Sequence, residues 1–75
     1  MSLYDRMTQK TQDKLQDVHK EYSAMGTIIT NHLNRVDSVT ELTIKEAADI
    51  WLFLGSGLGI SDFNFNGIMD LFNYK

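Results

Sequence analysis

From Leu15 onward the apolar residues recur at steps of three and four: Leu15, Val18, Tyr22, Met25, Ile29, Leu33 and Val36. That period lays a single apolar stripe along an α-helix. Lys14, Gln16, Asp17, Lys20 and Glu21 fill the other face. No proline interrupts the chain. The pattern predicts one long helix over residues 9–35. Gly26 in its middle costs about 1 kcal/mol against alanine. A glycine there suits close approach by a neighbouring helix or a ligand.

After Arg35 the polar run VDSVTEL breaks the stripe. Ser38 with Glu41, and Thr43 with Glu46, both have the spacing of a capping box, so either can start the next helix. Apolar residues then return at Leu42, Ala47, Ile50, Trp51, Leu54 and Leu58. They predict a second helix over 38–56, with Trp51 in the core. The short connection favours an antiparallel hairpin.

The second helix runs into IWLFLGSGLGI, Ile50 to Ile60. The apolar run is far shorter than the roughly 20 residues that span a bilayer. A phosphate-binding loop needs a strand before its glycines and a helix after them. Here a helix precedes them, and the lysine and hydroxyl of a P-loop are missing. Gly55 or Gly57 instead stands where a helix end calls for a left-handed residue. The remaining segment, 57–75, is an aromatic tail. Asn66-Gly67 is a turn signal. Ile68, Leu71 and Phe72 fit one face of a short final helix. Phe63, Phe65 and Phe72 need cover from the hairpin or from a neighbouring subunit.

The chain has 75 residues and no cysteine. A single core below roughly 70–80 residues rarely supplies more than about 3–5 kcal/mol. Disulfides and thiolate zinc sites are excluded. Oligomerisation is the device left. The expected fold is therefore all-α. It is one domain, 1–75, an antiparallel helical hairpin with a short N-terminal helix and a short aromatic C-terminal helix, assembled as a homo-oligomer. The opening MSLYDRMTQK is polar and charged and does not read as a secretory signal. With the lack of cysteine, this points to the cytoplasm.

The formal net charge of −3 argues against DNA binding. The charge is uneven. Residues 1–20 carry four basic against three acidic side chains, and the remainder carries three against seven. An anionic ligand belongs near the N-terminal third. Arg6, Lys10 and Lys14 recur at steps of four and form a basic stripe if residues 5–14 are helical. Tyr4 precedes them and can stack on a nucleobase. Enzymatic chemistry finds little footing. His19 and His32 are thirteen residues apart, about 220° round a helix, so they do not pair as metal ligands. No nucleophile with an adjacent base is visible. Asp13, Asp17 and Glu21 read as a solvated face. The expectation is a non-enzyme without cofactor or metal.

The segment Leu42-Thr43-Ile44-Lys45-Glu46-Ala47-Ala48-Asp49-Ile50-Trp51 resembles the second helix of a helical-hairpin family of phage anti-defence proteins. That family sequesters cyclic oligonucleotide signals and includes inhibitors of CBASS and of Thoeris immunity. The N-terminal part is similar to its anti-CBASS branch. There a tyrosine opens a short helix and a lysine fifteen residues later lies on the long helix. Tyr4, Met7, Leu15 and Val18 fall in that register, but His19 holds the lysine position and Lys20 follows it. Lys20 points about 100° away on a helix. The likeness runs from Tyr4 to Gly55 and leaves out the aromatic tail.

What the resemblance implies is a sponge in the host cell cytoplasm. Such proteins form homo-oligomers, often hexamers, and bury their ligand between subunits without degrading it. The implied ligand is a cyclic di- or trinucleotide or a cyclic ADP-ribose-type signal. The resemblance implies contacts from Tyr4 and from either Lys20 or a protonated His19, and Arg6 joins them from the basic stripe. The competing expectation is a small acidic, aromatic interaction protein that inhibits a host protein by direct binding.

Overall fold

A computed structural model describes residues 1–59 and 65–73, with Phe65 described for its backbone only. The described residues contain four α-helices and no strand: α1 (Gln9–Glu21), α2 (Ser23–Arg35), α3 (Ile44–Ile50) and α4 (Phe65–Met69). No helix among them is long and apolar enough to cross a membrane.

The single helix expected over 9–35 is two helices that meet at Tyr22. This residue leaves helical geometry with φ −139° and ψ 73°. A straight helix of that span would be about 40 Å long, yet the longest dimension of the molecule is 29 Å. On a continuous helix, residues 19 and 26 lie about 10 Å apart along the axis. The break brings the His19 ring onto Gly26, where an added Cβ would collide with it. Gly26 therefore admits a side chain from the preceding helix. The Tyr22 ring, 56% exposed, meets Phe53 edge-on at 6.1 Å.

Both capping boxes form. The Ser38–Glu41 box closes a 3-10 turn, Val39–Glu41. Leu42 is then extended and buried. The Thr43–Glu46 box opens α3, so the second helix begins at Ile44 and not at 38. Beyond Ile50 the chain widens into a π-helical segment, Trp51–Gly55, and tightens into a 3-10 turn, Ser56–Leu58. The stop is Gly59 at φ +88°, a left-handed conformation that only glycine adopts cheaply. Gly55, at φ −69°, continues the helix, and neither it nor Gly57 has a positive φ.

The core gathers Leu15 and Val18 of α1 with Ile29 and Leu33 of α2. Ala47 and Ile50 of α3, then Leu54, complete it from the second half. Trp51 is half-buried against this core and not inside it. Ile68, Leu71 and Phe72 cover it from the tail of the same chain. Asn66-Gly67 lies inside α4, and Gly67 O accepts from Asp70 N–H (3.2 Å) in the turn that ends it. Phe63 lies outside the described residues, and so does the side chain of Phe65.

The chain ends are tied together. Leu3 N–H donates to Val36 O (2.9 Å), which docks the N-terminal turn on the end of α2. Leu71 O accepts from Thr8 N–H (3.1 Å) and from the buried Thr11 hydroxyl (2.9 Å). Met7 bridges Phe72 in antiparallel fashion. These bonds hold residues 3–8 in a fixed path across the start of α1, and that path forms the site.

Candidate functional site

The N-terminal 3-10 turn, Tyr4–Arg6, stands beside α1 and leaves a groove of about 300 Å³ between them. Met7 and Leu15 border it with apolar surface. Tyr4 and Asp5 line it from the turn, and Gln12, Gln16 and His19 from the helix. Residues 12, 16 and 19 are spaced four and three apart and share one helix face. Tyr4 and His19, fifteen residues apart in sequence, thus border one groove within a single chain.

His19 is held in place. Thr30 Oγ1 donates to Gly26 O at 2.8 Å. With its proton so used, that hydroxyl accepts from His19 Nε2 at 3.2 Å. The bond places the ring proton on Nε2 and latches α1 to α2 across the Tyr22 break. Replacing Gly26 by alanine would expel the ring. The helix gains about 1 kcal/mol from the substitution, which offsets the lost packing. The expected outcome is a nearly unchanged melting temperature with a displaced His19. Imidazole 15N shifts check this. His19 ring resonances and Thr30 shifts that stay unchanged in Gly26→Ala would refute the latch.

The cations lie elsewhere. Arg6 does not share a stripe with Lys10 and Lys14, because the chain is extended at Met7 and Thr8 before α1 begins. Arg6 borders a separate hollow with Met1, Asp5 and Asn73, and its Nε is buried without a hydrogen-bond partner among the described residues. Lys14 lies across Gly57, and Lys10 stands near Gly59 and Asp70. Lys20 is exposed and does not line the groove. Of the four expected contacts, the structure brings together Tyr4 and His19 and leaves Arg6 and Lys20 outside.

No protein-family model, curated protein or solved structure matches this chain.

A second polar cluster joins α2 to α3. Glu46 accepts from Arg35 through both carboxylate oxygens, one contact being Nε to Oε2 at 3.0 Å. It also accepts from Thr43 N–H at 2.9 Å. Arg35 first, and the Thr43 amide second, pull its pKa from 4.5 to about 2. His32 sits between two carboxylates, Glu46 at 3.3 Å and Asp49 at 3.4 Å. Among the described residues no group of histidine and carboxylate side chains is arranged to hold a metal ion. This cluster is a clasp between helices.

Asp5, Gln12 and Gln16 had no assigned role in the sequence. The shared spacing of Gln12, Gln16 and His19 was the available signal.

Proposed function

We propose that this protein binds a cyclic oligonucleotide signal and sequesters it without degrading it, as a phage-type anti-defence sponge of CBASS or Thoeris immunity. The observation that carries the reading is the shared groove of Tyr4 and His19. These are the two positions that the family resemblance marks for base and phosphate. Tyr4 is 40% exposed, which leaves a ring face for stacking.

The groove, at about 300 Å³, is at the lower end of ligand pockets, roughly 300–1,000 Å³. It takes one base of a cyclic di- or trinucleotide or of a cyclic ADP-ribose-type signal. A second copy of the chain then closes over the rest. In this reading the hairpin assembles as a homo-oligomer, a hexamer by the family resemblance, in the host cytoplasm.

The other reading, inhibition of a host protein by direct contact, draws on the exposed Tyr22 and Leu52, the latter 54% exposed. One panel separates the two. A cyclic nucleotide that binds only the folded state raises the melting temperature by mass action. Tyr4→Ala weakens that binding by about 1–3 kcal/mol, the worth of one stacked base. Calorimetry on Tyr4→Ala, His19→Ala and Lys20→Ala, with light scattering across a dilution series, completes the test. A stable monomer that responds to no cyclic nucleotide would favour the protein-inhibitor reading.

A further inference from the structure

Asp5 places a carboxylate at the groove, while Arg6, Lys10, Lys14 and Lys20 stand outside it. A phosphate has only acceptor oxygens when fully ionised. Asp5, itself an acceptor, repels it. What fits is a flat group that brings hydrogen-bond donors. Tyr4 offers a face, and Gln12 and Gln16 offer carboxamides. The Gln12 amide is anchored by donation to Met7 O at 3.2 Å, which leaves its carbonyl oxygen and one N–H for a ligand. Asp5 is steadied by Ser2, whose hydroxyl donates to Oδ2 at 3.3 Å, and Oδ1 and the second lone pair of Oδ2 remain available.

The Asp5 carboxylate decides among the bases. Guanine alone presents two adjacent donors, N1–H and N2–H, along one edge, and these match two carboxylate oxygens. Adenine and cytosine place a ring acceptor beside their amine, and uracil flanks its one N–H with two carbonyls. Each of these sets an acceptor against Asp5. We propose that the groove is a base subsite selective for guanine, with Tyr4 stacking on the ring and Asp5 accepting from its N1–H and N2–H edge. The phosphates then lie away from Asp5, at the His19 end of the groove or beyond it. This inference rests on the nucleotide-sequestration reading for its ligand.

The test titrates the full chain with guanosine 5′-monophosphate and adenosine 5′-monophosphate, followed by amide NMR. The guanine nucleotide is expected to shift Tyr4, Asp5, Gln16 and His19. It should bind at least about fivefold more tightly than the adenine nucleotide, the lower end of what one bidentate base contact discriminates. Asp5→Asn presents an acceptor beside a donor, and it should bring the two affinities together. Equal affinities in the parent, or a preference that survives Asp5→Asn, would overturn the subsite. Arginine amide giving those same shifts while the guanine nucleotide gives none would also overturn it, in favour of a guanidinium-bearing protein partner.

Melting curves with cyclic di-GMP and cyclic di-AMP keep the two readings apart. If both raise the melting temperature equally, the subsite fails and sequestration stands. If the groove selects guanine but no cyclic nucleotide stabilises the protein, sequestration fails and the subsite stands.

Discussion

Ile50→Ala is expected to leave little folded protein at room temperature, whereas Trp51→Ala keeps a cooperative transition. Ala47, Ile50 and Leu54 recur at steps of three and four and are each fully excluded from solvent. Trp51 stands about 100° round the helix from Ile50 and is half-buried. Truncating a buried isoleucine to alanine costs about 2–5 kcal/mol. A single core of this size supplies about 3–5 kcal/mol in all. The loss at Ile50 is therefore comparable with the whole stability. The loss at Trp51 should fall below the roughly 3–5 kcal/mol of a fully buried aromatic, although tryptophan is the larger residue. Urea titrations followed by circular dichroism give the order. If Trp51→Ala is the more damaging substitution, the face assigned to residues 44–54 is wrong.

The apolar stripe was legible because burial and period coincide: Leu15, Val18, Ile29, Leu33 and Val36 are all inside. The break at Tyr22 was not. It costs a single residue, so the three-four spacing runs through it in phase, and neither proline nor glycine marks it. Its cause is tertiary, the His19 ring on Gly26 and the Tyr22 ring on Phe53. Only Gly26 hinted at it. Both capping boxes were readable because their hydrogen bonds span three residues. Which box opens the long element depended on burying Leu42 in extended form, which no local pattern encodes. The stop fell at Gly59 because the helix widens over Trp51–Gly55 and carries the chain past two earlier glycines.

The site follows the same division. The shared face of Gln12, Gln16 and His19 is a matter of period. The position of Tyr4 and Asp5 opposite that face depends on Leu3 bonding to Val36, thirty-three residues away. Charge counting along the sequence placed a cationic patch near the N-terminus. In space its members part, because Met7 and Thr8 are extended and turn Arg6 away from the Lys10 and Lys14 face.

Stability is expected to fall as the pH drops from about 4.5 towards about 2, and Glu46→Gln should remove most of that slope. The sign follows from linkage. The Glu46 pKa is lowered in the folded protein, from 4.5 to about 2. Its contribution is therefore fully present above the unfolded value and is lost as the pH falls through the folded one. Arg35 is about half exposed, at 52%, so solvent screening trims the gain to about 1 kcal/mol. In a domain of this size each kcal/mol moves the melting temperature by about 4–8 °C. Glutamine retains a capping-box partner for Thr43, so the substitution isolates the charge. The parent should melt higher at neutral pH, and the two curves should converge near pH 2, since the remaining carboxylates are common to both. Salt at about 1 M narrows the neutral-pH gap, because the Debye length falls to about 3 Å. Parallel curves across the whole range would mean that Arg35 and Glu46 do not couple in solution. The clasp ties α2 to α3, and none of its four side chains borders the Tyr4–His19 groove. Glu46→Gln should therefore lower the melting temperature without changing nucleotide affinity in the folded protein. Under the proposed function the reverse is expected of Tyr4→Ala, because its exposed ring supports little of the core.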